Sequence, residues 1–436
     1  MIEIQRTTAL DIIEHLGAYG TPPEYGVRYF TEGIQHLLDF YKKEYFAEFI
    51  KNGGSIFRLV TGGYGSGKTH FLYCIRDVAW EENYLVSYVS LSPRECPFTD
   101  LSKVYQSIVN NLMYPMTEKE LKDPTEHGIN GVLKVFVREK LLQGDGNEKI
   151  DNLLKSLRMD LQSVESSSFA HAVYHAIRSL VEEDFDIYEG CLQWLKGEEP
   201  PSEIKLRYGI TEKLDKTTAQ RRIRSLAQTV RKMGYSGLVL IFDEAEMMTS
   251  IATQRSKKQV LNNLRELIDE CARRGRLPST VMFYAIPDKR ELLDGEGPHY
   301  EALRQRVSSY FNNMTNPSGV IIDLENQNLL RIREDELLKK IGDKISQIYF
   351  VAYPEALIPP NQLKEMIQGI VDEVIKVAPG VVSPRRLFVK SLIAVLHLSR
   401  ARAGAPVLED EIRDIVKENL QVEVERQENY SEEEEF

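Results

Sequence analysis

Apolar positions recur along this chain with two different periods, and the alternation between them outlines its organisation. Ala9, Ile12, Ile13 and Leu16 follow a helical spacing over residues 7–18. A turn-rich stretch, GAYGTPPEYG, ends that pattern, and a second helix is expected over about 32–50. The short apolar run SIFRLV at 55–60 then reads as a buried strand. It is followed by a glycine-rich loop and by a helix with Phe71, Leu72, Ile75, Val78 and Ala79 on one face. LVSYVSLS at 85–92 reads as a second strand, so the order is strand, loop, helix, strand: the opening of a parallel sheet. Residues 93–235 break the rhythm with a run of helical patterns joined by polar connections such as GEEPPSE. Strand patterns resume at GLVLIFDE (237–244), STVMFYAIPD (279–288) and GVIIDL (319–324), with a long helix expected at about 256–274. Residues 329–420 look all-helical, and the acidic end ENYSEEEEF is expected to be disordered.

These patterns predict an α/β fold: a parallel sheet with helices on both faces, a large helical insertion and a helical C-terminal lid. The expected division is residues 1–54 as N-terminal helices, 55–328 as the αβ core with its insertion at about 93–235, 329–420 as the lid, and 421–436 as the tail.

The glycine-rich loop carries the first chemistry. Gly62, Gly67, Lys68 and Thr69 have the spacing G-x-x-x-x-G-K-T of a phosphate-binding loop. Glycines at 62, 63, 65 and 67 let successive backbone N–H groups curl into one concavity at the start of a helix, where the positive dipole end favours phosphate. The segment Gly62, Gly63, Tyr64, Gly65, Ser66, Gly67, Lys68, Thr69 and His70 is therefore the candidate nucleotide-binding segment. Lys68 is expected to reach the β- and γ-phosphates, and the Thr69 hydroxyl to be a magnesium ligand.

The strand at 237–244 ends in Asp243 and Glu244. A carboxylate at a buried strand end is placed to hold Mg²⁺, the role expected of Asp243. Glu244 is placed to orient or activate an attacking water. Together the two motifs point to the nucleotidases that have an extra strand between the phosphate loop and the magnesium carboxylate. The chain has no NKxD-type motif for reading guanine, which points to ATP. Enzymes of this branch add arginines from a lid or a neighbouring subunit. Arg304 and Arg306 follow the 279–288 strand, and Arg385, with Arg386 beside it, opens an amphipathic helix in the expected lid. Arg385 suits a sensor that reports hydrolysis as movement. The 279–288 strand ends Tyr-Ala-Ile-Pro-Asp, without the Asn, Ser or Thr expected at its tip.

Composition adjusts this picture only slightly. The chain has 436 residues, 42% of them apolar, and a formal charge of −11. That charge argues against wholesale coating of DNA or of an anionic membrane. No apolar run approaches the ~20 residues of a membrane span, and the N-terminus lacks the apolar core of a signal peptide. The cysteines Cys74, Cys96, Cys191 and Cys271 are scattered without a CxxC pair. That fits a reducing cytoplasm and gives neither a disulfide framework nor a zinc site. His171 and His175 have i, i+4 spacing but no third ligand pattern nearby. A local basic stripe occurs on the helix around 218–232, where Arg221, Arg222, Arg224 and Arg231 flank an apolar face of Ile223, Leu226, Ala227 and Val230. These arginines are the candidates for a sequence-independent nucleic-acid contact.

The order of N-terminal helices, phosphate loop, DE strand, arginines and an S-P-R-R-L helix resembles the AAA+ ATPases, and within them the origin-recognition and Cdc6-like branch. More narrowly, GTPPEYGVRYFTEG, FRLVTGGYGSGKTHFL and VSLSPRE, with GYSGLVLIFDEAE and FYAIPD, resemble the P-loop ATP-binding proteins of BREX phage-defence loci, the BrxD-like family. The resemblance runs over about residues 3–420. It implies a cytoplasmic ATPase using ATP and Mg²⁺ beside a helicase and other defence proteins, with a homo-oligomer and a DNA contact as further expectations. Carried onto this chain, the nucleotide set is Gly62–Thr69, Asp243 and Glu244, with Arg385 as sensor and the loop Gly20–Tyr25 near the adenine. Two readings stay open here: an ATPase that drives a partner protein or DNA, and a slow or non-hydrolytic switch that assembles on DNA like an origin-binding protein.

Overall fold

A computed structural model of the chain describes residues 3–92, 96–142, 147–245, 253–272, 276–295, 297–307, 318–379 and 381–433. Six strands form one mixed, mostly parallel sheet: β1 (Ser55–Thr61), β2 (Tyr84–Ser90), β3 (Leu112–Met113), β4 (Gly237–Asp243), β5 (Thr280–Ile286) and β6 (Ile321–Asp323). Their order across the sheet is β3-β2-β4-β5-β1-β6. All pairings are parallel except β2 with β3. The five longer apolar runs of the sequence are therefore the five parallel strands. β3 has no counterpart in the apolar pattern, because two residues are too few to show a period.

Each central strand is buried on both faces, so alternate side chains feed two separate cores. Leu238, Leu240 and Phe242 of β4 join Met282, Tyr284 and Ile286 of β5 in one core with the insertion helices. Val239 and Ile241, with Val281, Phe283 and Ala285, enter the other, with the phosphate-loop helix, the N-terminal helices and the lid. The insertion thus shares its core with the sheet. The N-terminal helix Arg6–Tyr19 shares its core with the lid helices Glu334–Ala352 and Pro384–Ala401. Arg6 Nε donates to Ala352 O at 3.0 Å, and a Cβ on Gly17 would come within 3.1 Å of Ile393.

The parallel order brings three strand ends together. β5 lies between β1 and β4, and all three end at the same side of the sheet. The loop after β1 and the carboxylates after β4 therefore emerge together, the usual position of a ligand in an open α/β sheet.

The acidic end differs from expectation. The last helix spans Glu409–Glu433, so the stretch expected to be disordered is helical through Glu433; residues 434–436 lie outside the described ones. Its anchor is Glu423, which is buried and accepts from Lys390 Nζ at 2.9 Å. The high acid content hid one buried acid with a buried cation to meet.

Candidate functional site

The phosphate loop leads from β1 into the helix Lys68–Glu81, and its glycines hold a shape that other residues resist. Gly65 has φ 78° and Gly67 φ 97°, both left-handed. A Cβ on Gly65 would press on Arg386 Cβ at 2.8 Å and on Ser383 Cβ at 3.0 Å, so the loop is packed directly under the lid. Gly67 caps the helix without a side-chain hydrogen bond. The first-turn N–H groups, which no intrahelical carbonyl can satisfy, are left for an anion. Ser66 Oγ is buried with no hydrogen-bond partner among the described residues. Lys68 is buried, and its Nζ donates to Gly62 O at 2.7 Å and Gly63 O at 3.3 Å. The loop, its lysine and its uncapped helix fit a phosphate chain.

The carboxylates meet this loop. Thr69 Oγ1 donates to Asp243 Oδ2 at 2.8 Å across 174 positions of sequence. Asp243 is 3% exposed. The same oxygen accepts from Tyr88 OH at 2.5 Å, and Oδ1 accepts from the backbone N–H of Glu244 at 2.9 Å. A hydroxyl and a carboxylate oxygen in contact on the loop side of a strand end are the donor set a magnesium ion takes, so Thr69 and Asp243 fit that ion. Glu244 stands in the left-handed region at φ 58°, uncommon for a glutamate and often a mark of a functional turn. Burial, and then the charge of Asp243, raise its carboxyl above the ordinary range. Its side chain also bonds to Ser90.

A cavity of about 430 Å³ opens over these groups, within the usual range for a small-molecule site. Tyr64–Thr69, Asp243 and Glu244 line it. Gly20, Thr21 and Pro22 line it too, together with apolar Leu16, Ile34, Leu337 and Ile341. The cavity therefore combines charged and apolar walls, and of the Gly20–Tyr25 turn Gly20, Thr21 and Pro22 contribute to its lining. His70 also lines it, and burial, helped by the nearby Arg385 charge, pushes its imidazole down to about 4. Neutral His70 bonds through Nε2 to Thr31 Oγ1 at 2.9 Å and packs against Phe30, their ring centroids 5.0 Å apart.

The arginines divide. Arg385, on the helix Pro384–Ala401, bonds to Ser66 O and donates to Leu324 O at 3.0 Å; Glu334 accepts its Nε at 2.9 Å and Nη2 at 3.0 Å. One guanidinium therefore ties the lid to the phosphate loop and to the end of β6. Arg386 lines the cavity and faces Glu423 at 3.5 Å. Arg304 and Arg306 do not line it. Arg306 is held by Asp269 at 2.5 and 2.9 Å on the helix Gln254–Ala272, while Arg304 is exposed.

Of the expected nucleic-acid stripe, Arg222 departs from the surface. Arg222 is 1% exposed, its guanidinium lies 3.7 Å from the Trp194 ring centroid, and it donates to Trp194 O at 3.0 Å and Glu212 O at 2.7 Å. Arg224 makes a double contact with Glu165 at 2.7 and 2.6 Å; Arg221 donates to Glu212 at 2.9 Å, and Arg231 to Ser236 O at 2.8 Å. Arg222 is thus part of the core, while Arg221 and Arg231 remain exposed beside their partners. His171 bonds to Gly209 O at 3.3 Å and His175 packs on Tyr208, and no group of three or more His, Cys, Asp or Glu side chains that could hold a metal occurs among the described residues.

Tyr88 and Glu334 are the site residues that sequence reasoning missed. Both act through partners set by the fold, and only the strand register or the lid's position could have shown them.

The model of the family of BREX system ATP-binding proteins BrxC/D matches residues 4–410. The chain belongs to that family. No curated protein and no solved structure matches it. In this BrxC/D chain the match covers the loop, the carboxylates and the lid arginines, and stops within the C-terminal helix that carries Glu423. Among the described residues no helix is long and apolar enough to cross a membrane.

Proposed function

We propose that this BREX ATP-binding protein is a cytoplasmic, magnesium-dependent ATPase of the AAA+ type. The observation that carries the reading is the contact of Thr69 with Asp243 at 2.8 Å, inside a cavity walled by the phosphate loop, Glu244 and the lid. The placement of β5 between β1 and β4 supports it, since it separates the phosphate loop from the acidic strand end by one strand, as in that class of nucleotidase.

In this reading the uncapped helix and Lys68 bind the phosphates, and the Gly20–Pro22 turn and apolar wall take the base. Magnesium, held by Thr69 and Asp243, would neutralise charge on the β- and γ-phosphates. Glu244 takes a proton from the attacking water, for which a carboxyl raised by burial is suited. Arg385 senses the γ-phosphate and carries its loss to the lid through Glu334. Within AAA+ proteins the S-P-R-R-L helix, whose Arg385 reaches the loop, is the basis for choosing the origin-recognition branch. Arg304, exposed beyond the cavity, is free to serve a neighbouring subunit in a homo-oligomer; Arg306 would first have to leave Asp269. The partner that receives the movement is another defence protein such as a helicase, with or without DNA.

The purified protein is expected to hydrolyse ATP in magnesium. Glu244→Gln should lower kcat by at least about 100-fold while ATP still binds. Lys68→Ala should remove binding and turnover together. ATP binding without turnover, with DNA and partner proteins present, would replace this reading with the non-hydrolytic switch.

A further inference from the structure

Tyr88 lies behind Asp243, outside the cavity lining, and its position follows from strand register. β2 and β4 are parallel, with Tyr88 opposite Ile241 and Ser90 opposite Asp243. Tyr88 and Asp243 thus project from the same face, the one covered by the helix Lys68–Glu81, as diagonal neighbours two positions apart. That diagonal spans a distance a phenol can bridge and a shorter side chain cannot. Tyr73, one turn beyond Thr69, packs on the Tyr88 ring with centroids 5.0 Å apart. The ring is held between helix and strand, and its hydroxyl has Asp243 Oδ2 as acceptor at 2.5 Å.

Asp243 therefore receives three donors: Thr69 and Tyr88 on Oδ2 and the Glu244 N–H on Oδ1. Of the two side-chain donors, Thr69 is itself a candidate magnesium ligand and lines the cavity. Tyr88 anchors the carboxylate from outside the cavity lining. Groups that orient a metal-binding carboxylate from behind commonly set metal affinity by 10–100-fold.

We propose that Tyr88 is a positioning residue for the magnesium site: its hydroxyl holds Asp243 in the rotamer that binds the ion. This rests on the reading of Thr69 and Asp243 as the magnesium donors. The test is ATP binding by the full chain, by calorimetry, in EDTA and across a magnesium series, with Mn²⁺ binding read directly by electron paramagnetic resonance. Tyr88→Phe removes one oxygen and keeps the stack on Tyr73. The Kd for ATP in EDTA should stay within about twofold, while the magnesium concentration for half-maximal effect, and the Kd for Mn²⁺ with ATP present, should rise roughly tenfold. A wild-type magnesium midpoint in Tyr88→Phe would overturn the proposal and leave the magnesium site standing. So would an equal loss of ATP affinity in EDTA, which would mark Tyr88 as structural. Wild-type protein whose ATP binding ignores magnesium would refute the site assignment itself and the proposal with it.

Discussion

Arg222 occupies the line of Ala219, Leu226 and Thr229 on its helix, positions three and four apart that all face the core. Its charge is made tolerable there by two carbonyl acceptors and the face of Trp194. The period alone placed it on the buried stripe, and reading it as part of a basic face gave its charge more weight than its position. Arg222→Ala should destabilise the protein by about 3 kcal/mol, since it opens a cavity beside Trp194 and strands two carbonyls. Chemical denaturation measures this; a midpoint within error of wild type would mean the residue is not packed as described. His70 supports a second prediction at this scale. Its folded value of about 4 lies below the ordinary 6.5, so the unfolded chain binds the proton first as pH falls. Stability is lost from pH 6.5 down to about 4, by up to about 1.4 kcal/mol per pH unit. His175 is lowered to about 4 as well, and burial also lowers His15 and His397, so the wild-type slope contains all four. His70→Gln should remove one share of that slope, and an unchanged slope would show that His70 is not buried neutral.

Among the elements, the C-terminal helix departs most from its appearance in sequence. Glu423 is 4% exposed and faces Lys390, Arg386 and Arg426 at 2.9, 3.5 and 3.6 Å. Lys390 is itself 7% exposed, so removing the acid leaves a buried ammonium unpaired. Glu423→Ala should cost about 3 kcal/mol or more, and Glu423→Ala with Lys390→Met should recover most of it. If the double variant is no more stable than the single, the pair is not the anchor. The strands are far easier to read. Seven consecutive buried residues in β4 and in β5 leave an apolar run too short for a core helix and too continuous for a half-exposed strand. The proposed phosphate loop was legible because such a loop requires a fixed local spacing, and Asp243 because it ends a strand. Tyr88, Glu334 and Glu423 were not, since each gains its role from a partner 155, 51 and 33 positions away. No local period reports such a contact.

For the whole molecule, the cavity is built from parts that share no local structure: the loop and β4 from the sheet, Gly20–Pro22 from the N-terminal segment, Arg385 and Leu337 from the lid. A ligand filling it therefore ties these parts together and stabilises the native state in proportion to the logarithm of its concentration over Kd. ATP with magnesium at about 100 times Kd should add about 2.7 kcal/mol, seen as a higher thermal midpoint. Arg385 is the side chain that joins lid to loop, through Ser66 O, Leu324 O and Glu334. In Arg385→Ala the sheet can still hold the phosphates through Lys68, but the lid no longer shares in the binding. The ATP-dependent rise in midpoint should then fall, and Glu334→Gln, which frees the same guanidinium without removing it, should keep most of the rise. An Arg385→Ala protein with the full wild-type response to ATP would show that the lid contributes a wall and nothing more, and would leave the coupling of hydrolysis to lid movement without its link.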